Sequence, residues 1–376
     1  MDMGILNDVD RFCKRLRPIE DVCYLEHRFN DMLIPLAKEY NILGMPISKE
    51  FGGRGADTLT YTKALMRIGM EGSGVRSLFS AHSSLSQKIL ERYEKEDYLK
   101  ASVKGDIILA FALTEPDAGS NPKEMKMYYR EERDHYILNG VKYLITNATI
   151  ANAIIVFAKH NDTISAFVID TDKEGIEREG LSKMGTFTTD TGMFELKDYR
   201  VSKSNLIGKE GDGWKIAKEA LMDGRLSVAA GCVGSIKDCL IEAISYAKER
   251  FQHNKPIAKH QLVQEHIAMI KLHLSTSLAI VFRASKIKSE YEKKKDKESM
   301  KRADLAIAEA KLFASNASYD AADRAVQIFG GRGYSFIYRV GRHLIDNRVC
   351  RIYEGSDEIM KLKIAEGVLG REYRAF

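Results

Sequence analysis

No run of about 20 consecutive apolar residues occurs in the 376-residue chain, so no membrane-spanning helix is expected. The opening residues, MDMGILNDVDRFCKRLRP, lack the uninterrupted apolar core of a secretory leader, and none is expected there. Cysteine is scarce: Cys13, Cys23, Cys232, Cys239 and Cys350 are odd in number and show no CxxC spacing. That argues against a disulfide framework and for buried thiols in a reducing, cytoplasmic setting. Cys232 and Cys239 are spaced to share a helix face. An excess of one charge is also missing. The 58 Lys and Arg against 53 Asp and Glu leave +5, too little and too scattered for a nucleic-acid-binding face. There is no GxGxxG, no GxxxxGK[ST], no HExxH and no GxSxG. The glycine-rich stretches at 208–213 and 330–333 read as turns or helix ends. His253, His260, His266 and His273 lie along one helical region without a metal-ligand pattern, so no metal is expected. What remains is an ordinary globular composition, 44% hydrophobic and 30% charged, long enough for two or three packed units.

The chain changes character twice. Its first part carries apolar positions at helical spacing, among them Leu33, Leu36 and Ala37, then Leu65 and Met66. Pro46 and the cluster Gly52-Gly53-Arg54-Gly55 punctuate it. Near residue 107 the pattern becomes β-like, beginning with the apolar run Ile107 to Leu113. Asn139-Gly140 stands between Tyr136-Ile137-Leu138 and Val141 to Ile145, which predicts a hairpin turn. Ala153 to Phe157 and Ile164 to Ile169 are further β-rich runs, and Met193 to Leu196 alternates at period two. From Trp214 helical spacing returns, in Leu226, Ala229, Val233, Ile236, Leu240, Ala243 and Ala247. A second helix runs through Ile267, Ile270, Leu274, Leu278 and Val281, and a third over Ala303 to Ile328. The charged run EYEKKKDKES at 290–299 separates them as a solvated turn. The order helices, strands, helices is not the alternation of a doubly wound sheet. It predicts an α+β chain with a helical unit at 1–107, a strand unit at 108–212 and helices over 213–376.

Three short segments carry chemistry. FALTEPDAGS, Phe111 to Ser120, ends a strand in hydroxyls, an acid and a Gly-Ser pair. Such a strand mouth offers N–H and hydroxyl groups to the carbonyl and imide edges of a ring or to a phosphate, or is simply a polar strand exit. Lys142 to Asn147 ends a second strand in Thr-Asn, by itself an ordinary β edge. Arg351-Ile-Tyr-Glu-Gly-Ser356 places one carboxylate, Glu354, before a glycine between two helical patterns. Half-desolvated, it would have a raised pKa and could act as a general base; the alternative is a surface acid at a helix start.

In this order, together with PISKEFGGRGADTLTY at 46–61, the KMG…TGMFELKDYRV region, Arg225 in MDGR, the stretch Arg250 to Gln261, QIFGGRGY and IYEGSDEI, these segments resemble the flavin-dependent acyl-CoA dehydrogenase family over nearly the whole chain. The resemblance implies a helical N-terminal domain, a middle β-barrel and a C-terminal four-helix bundle. It also implies FAD, a homotetramer built from dimers, and a place in fatty acid β-oxidation. The α-hydrogen of an acyl-CoA would leave as a proton and the β-hydrogen as a hydride to flavin N5, giving trans-2-enoyl-CoA. By the same match Glu354 is the base. The position on the long helix that carries the base in other branches is Gly224, which cannot act. FAD contacts fall on Phe111, Leu113, Thr114, Gly119, Ser120, Leu144 and Thr146, on Ser356 and Glu358, and, from the neighbouring subunit, on Arg250, Gln261, Gln327 and Gly331. Substrate contacts fall on Ser120, Asp223, Arg225, Tyr353 and Gly355. Gly74 to Leu85 looks like the glutaryl-CoA dehydrogenase branch, in which an Arg-Ser pair, here Arg76 and Ser77, holds a distal carboxylate.

The chain also departs from the family pattern. Leu144 replaces the Trp that most members carry beside the flavin, which leaves open the acceptor, otherwise electron-transferring flavoprotein. Asn121 stands in place of an Asp and Phe187 in place of an Arg. Met222-Asp223 looks transposed, and Gly69 stands where the glutaryl branch has an acid. Four readings stay open: a dehydrogenase of unbranched short- or medium-chain acyl-CoA, a decarboxylating dehydrogenase of glutaryl-CoA type, an oxidase passing electrons to oxygen, and a catalytically silent flavoprotein.

Overall fold

Asp2 starts the first helix by accepting the N–H groups of Gly4 at 2.8 Å and Ile5 at 3.2 Å, a cap that also suits the positive end of the helix. In the computed structural model, which describes residues 2–373, this helix is α1 (Met3–Leu25). It is followed by α2 (Leu33–Glu39), α3 (Thr58–Gly69), α4 (Ser73–Phe79), a π-helical stretch at Ser80–Gln87, α5 (Lys88–Arg92) and α6 (Glu96–Lys104). The π-helical stretch is buried throughout, although six of its eight side chains are polar. Those groups hold backbone: Ser83 donates to Leu43 O at 2.7 Å, and His82 Nδ1 accepts from Leu109 N at 3.1 Å. Burial pushes the His82 imidazole down to about pKa 4, so it is neutral.

The strand unit comprises β1 (Leu109–Ala112), β2 (Tyr128–Glu131), β3 (His135–Thr146), β4 (Ala153–His160), β5 (Thr163–Asp170), β6 (Ile176–Gly180), β7 (Thr191–Ser202) and β8 (Leu206–Ile207). They form one sheet in the order β6-β7-β3-β2-β4-β5-β8, with β1 parallel to β4. One face builds a core of its own around Tyr129, Tyr136, Phe167 and Phe194. The other packs Leu109, Ile155, Phe157 and Val168 against the helices before and after it.

The hairpin expected at Asn139-Gly140 is not there. Both residues lie inside β3, which runs straight through the two runs read as separate strands. Gly140, at φ +138°, makes a bulge where the pairing with β7 shifts register, and a Cβ there would sit 2.7 Å from the Met127 Cα. Asn139 turns its side chain across to β7, accepting from Asp198 N at 2.8 Å. The glycine answers a close crossing of chains, not a turn.

The last part holds α7 (Gly213–Glu249), a small hairpin of β9 (Phe251–Gln252) and β10 (Lys255–Pro256), then α8 (Gln261–Lys294), α9 (Lys297–Phe329), α10 (Arg339–Val349) and α11 (Asp357–Leu369). The charged break between α8 and α9 shrinks to Lys295, at φ +54°, and Asp296, which caps α9 by accepting from Ser299 N at 2.7 Å. The seven-residue stripe read on α7 is buried, and so are Arg225 and Asp238 on the same helix, because α3, α8, α9 and α10 all pack on it. Asp238 accepts from Arg17 at 2.9 Å, Arg339 at 3.0 Å and His343 at 2.9 Å. All five cysteines are free and buried.

By length and composition alone α8 could cross a membrane, which the search for an apolar run did not flag; it packs along α9 and α7. Only 28% of its most apolar window is buried in this chain.

Candidate active site

Glu354 lies in the turn between α10 and α11 in a left-handed conformation, φ +53°, followed by Gly355 at φ +102°. For a non-glycine residue that conformation costs about 1–2 kcal/mol, so the surroundings must hold it. Two buried cations do so. Arg225 Nε donates to the Glu354 carbonyl at 3.0 Å, and Lys311 Nζ donates to the Gly355 carbonyl at 2.7 Å. Ser356 then caps α11 by accepting from Ile359 N at 3.4 Å, with Glu358 exposed in the first turn.

The Glu354 carboxylate points back toward α7 and the π-helical stretch. Ser80 Oγ donates to its Oε1 at 2.8 Å; its Oε2 is shielded from solvent and has no hydrogen-bond partner among the described residues. Burial pushes the carboxyl pKa up, while Arg76, Ser80, Lys311 and Arg225 draw it back. Room for the group comes from Gly224: a Cβ there would meet Oε2 at 1.9 Å.

Arg76, 1% exposed, lies with its stem over Gly231, where a Cβ would come within 2.9 Å of its Cγ. Its guanidinium sits 5.2 Å from the Tyr353 ring centroid and donates to the Tyr353 hydroxyl, which also contacts Cys350 Sγ at 3.3 Å. Arg76 Nη1 has no partner, and no carboxylate ion-pairs with this cation among the described residues. Asp223 is engaged elsewhere, 2.7 Å from Lys288 and 3.7 Å from Arg92. Arg225 also pairs with Asp304 at 3.2 Å.

The strand mouth forms where β1 and β3 end together. Tyr143 N donates to Thr114 O at 2.9 Å, and Asn147 Nδ2 to Leu109 O at 3.0 Å. Glu115 proves structural. Its carboxylate takes the N–H groups of Lys126 and Met127 and pairs at 2.8 Å with Lys142, a buried ammonium pushed down to about pKa 8. Phe111 packs edge-on against Phe157 at 5.1 Å. Leu113 and Leu85 share one cluster, and Leu85 Cδ2 would lie 2.8 Å from a Cβ at Gly224, so the mouth and Glu354 are neighbours. Thr114 and Thr146 are half-buried, Gly119 and Ser120 are exposed, and a Cβ at Gly119 would meet nothing. Leu144 stands out at φ +59° and is 58% exposed. The hydroxyls of Thr114, Ser120 and Thr146, the uncrowded Gly119 and the projecting Leu144 fit a planar ring with polar edges.

Arg250, Gln261, Gln327 and Gly331 do not join this group in one chain. They gather at the far end of the bundle, where Tyr246 stacks on Phe329 at 4.0 Å. Arg250 lies 25 residues along α7 from Arg225, about 38 Å at the helical rise.

Sequence reasoning missed Lys311, Ser80 as a partner of Glu354, and the Glu115–Lys142 pair. A signal existed for Lys311: it falls between Ile307 and Ala314 on the buried stripe of α9, where a charge is out of place.

Three family descriptions match in chain order: "Acyl-CoA dehydrogenase, N-terminal domain" over residues 4–106, "middle domain" over 110–199 and "C-terminal domain" over 211–369. The chain belongs to the acyl-CoA dehydrogenase family, and so to the oxidoreductases. It is 35% identical over 367 residues, 95% of each chain, to the 3-(aryl)acrylate reductase of Clostridium sporogenes. It superimposes on butyryl-CoA dehydrogenase from Megasphaera elsdenii with a TM-score of 0.92 and 30% identity, covering 98% of both chains. A glutaryl-CoA dehydrogenase from Mycobacterium smegmatis in complex with FADH2 gives 0.91 at 27% identity, covering 100% of this chain and 96% of that one.

Proposed function

We propose that this chain binds FAD at the strand mouth of β1 and β3 and dehydrogenates an acyl-CoA thioester to trans-2-enoyl-CoA, with Glu354 taking the α-proton. The observation that carries the reading is Glu354 Oε2, a shielded carboxylate oxygen without a partner among the described residues, on a side chain held at its other oxygen by Ser80. A group so placed has an open lone pair and a pKa raised by burial, which suits a general base.

The chain's own residues divide the work. The backbone N–H of Glu354, whose own carbonyl is held by Arg225, is the proposed donor to the thioester oxygen, which makes the α-hydrogen more acidic. FAD, when bound, supplies the hydride acceptor. Phe111, Leu113, Thr114, Gly119, Ser120, Leu144 and Thr146 are its proposed contacts within the chain, with Ser356 and Glu358 near its rim. Arg250, Gln261, Gln327 and Gly331 are too far along the bundle to share that site, which supports their contribution to a partner subunit's FAD. The exposed apolar face of α8 supports the same assembly, proposed as a homotetramer built from dimers. Ser120, Tyr353 and Gly355 are proposed substrate contacts. Arg225 and Asp223 already have protein partners, so Arg225 acts on the substrate through Glu354. Electron-transferring flavoprotein is the proposed acceptor, and fatty acid β-oxidation the setting.

A second reading rests on Arg76. A guanidinium buried without a carboxylate, with one amine unpartnered, is built to receive an anion. A dicarboxylyl-CoA such as glutaryl-CoA would place its distal carboxylate there.

Anaerobic bleaching of the bound flavin tests both. Butyryl-, octanoyl-, isovaleryl- and glutaryl-CoA are added separately to the wild type and to Glu354→Gln. The variant is expected to keep its flavin and lose bleaching; bleaching at the wild-type rate would sink Glu354 as base. Carbon dioxide release from glutaryl-CoA, abolished in Arg76→Ala, would select the second reading, and bleaching by butyryl-CoA alone would remove it.

A further inference from the structure

Lys311 is completely buried on α9, and its charge has no ion-pair partner among the described residues. Among the described residues its ammonium makes one hydrogen bond, at 2.7 Å to the carbonyl of Gly355. A buried ammonium is costly unless it does something a methionine could not. Arg225, which holds the preceding carbonyl, is different: its charge is balanced by Asp304, which also binds Lys363. The two residues so gripped, Glu354 and Gly355, both have positive φ, so the turn that aims the carboxylate is held through its carbonyls and not by its own preference.

We propose that Lys311 is a positioning residue for the general base: through the Gly355 carbonyl it locks the left-handed turn that aims Glu354, and its unbalanced charge keeps that carboxylate ionised. The inference rests on Glu354 being the base. The groups that face Glu354 are Ser80 from the π-helical stretch, Arg76 from α4, Arg225 from α7 and Lys311 from α9. Each lowers its proton affinity against burial. Of these, Ser80 carries no charge and Arg225 pairs with Asp304, so Arg76 and Lys311 are the two cations that act on Glu354 without a carboxylate of their own among the described residues, and of those two only Lys311 also grips the turn. Removing the Lys311 charge therefore raises the proton affinity of Glu354 and moves the acid limb of the activity profile to higher pH.

The test uses the FAD-loaded enzyme and whichever acyl-CoA bleaches it. Lys311→Met, Lys311→Arg and Glu354→Gln are compared by flavin content, melting temperature, and the pH dependence of kcat and KM. Lys311→Met is expected to keep its flavin and a KM within about threefold of wild type, and to lose roughly tenfold or more in kcat. The loss should be greatest at low pH, with the acid limb displaced upward. Lys311→Arg should restore most of both. An Arg variant and a Met variant with the wild-type profile would overturn the inference. So would a loss of kcat with the acid limb unmoved, which a merely structural lysine would produce. Should Lys311→Met fail to fold, Lys311→Gln, which keeps a donor to the Gly355 carbonyl without the charge, decides: an acid limb displaced upward supports the role, and one at the wild-type position refutes it. If Glu354→Gln itself turns over normally, the base reading fails, whatever Lys311 does.

Discussion

At the scale of single residues, the proposed base depends on an absence. Gly224 sits inside α7, where an alanine would favour the helix by about 1 kcal/mol. Its Cβ would nevertheless fall 1.9 Å from Glu354 Oε2 and 2.7 Å from Cδ. The carboxylate is the end of a flexible side chain and can swing aside, while the buried Leu85, whose Cδ2 would lie 2.8 Å away, must also give. With the helical gain set against the crowding of Leu85, Gly224→Ala is expected to melt within a few degrees of the wild type, keep its flavin, and slow substrate bleaching by about 10²-fold or more. Unchanged bleaching would mean that the carboxylate works from a different rotamer. Glu354 and Gly224 were both legible in the sequence because each stands in a short motif. The roles of Lys311 and Ser80 were not: Lys311 shows in the sequence only as a charge on an apolar stripe, and neither its bond to the Gly355 carbonyl nor that of Ser80 to the Glu354 carboxylate, 274 positions away, leaves a spacing to read. The guanidinium of Arg225 was legible as a site residue, but its partner, a main-chain oxygen 129 positions away, was not.

At the scale of elements, the long helices and the strands β1, β3, β4, β5 and β7 followed from their apolar runs, the short β2, β6, β8, β9 and β10 went unread, and one misreading came where a neighbour overrode local chemistry. Asn139-Gly140 carries the composition of a turn, but the approach of Met127 required a glycine in mid-strand. Phe187, in place of the family's arginine, is another such case. It stacks on His27 at 4.1 Å and meets Tyr24 and Phe336 edge-on, closing the segment before β7 onto α1. Two buried carboxylates tie the same segment down. Glu20 of α1 accepts from Thr188 and, at 2.7 Å, from Asn30; Asp346 of α10 accepts from Thr186 N at 2.6 Å and from the Tyr24 hydroxyl at 2.7 Å. Burial raises the Glu20 carboxyl from 4.5 to about 7. The fold thus prefers its neutral form: that contribution is complete below pH 4.5 and disappears as pH rises through about 7. The melting temperature should fall between pH 5.5 and pH 8.5, and Glu20→Gln, which cannot ionise, should flatten that fall. An identical slope in the variant would show that Glu20 titrates outside this range.

At the scale of the whole molecule, the order of helical unit, sheet and bundle was readable because each unit keeps one periodicity over a hundred residues or so. What covers the outside of the bundle was not, since an apolar face reads the same whether it meets its own core or another chain. Helix α8 makes the distinction: Leu262 is 79% exposed and Leu272 56%, on a helix otherwise apolar enough to be taken for a membrane span. At the bundle end where α8 begins lie Arg250, Gln261, Gln327 and Gly331, far from the strand mouth of their own chain. If, as proposed, they complete a partner subunit's FAD site, assembly and FAD retention should be lost together. Leu272→Glu, which places a charge in the uncovered face without touching any proposed FAD contact, is expected to give a smaller species by sedimentation velocity and to release flavin on dilution. A monomer that keeps its flavin as tightly as the wild type would show that one chain completes the FAD site. An assembly that withstands the charge would place the contact on another face of the bundle.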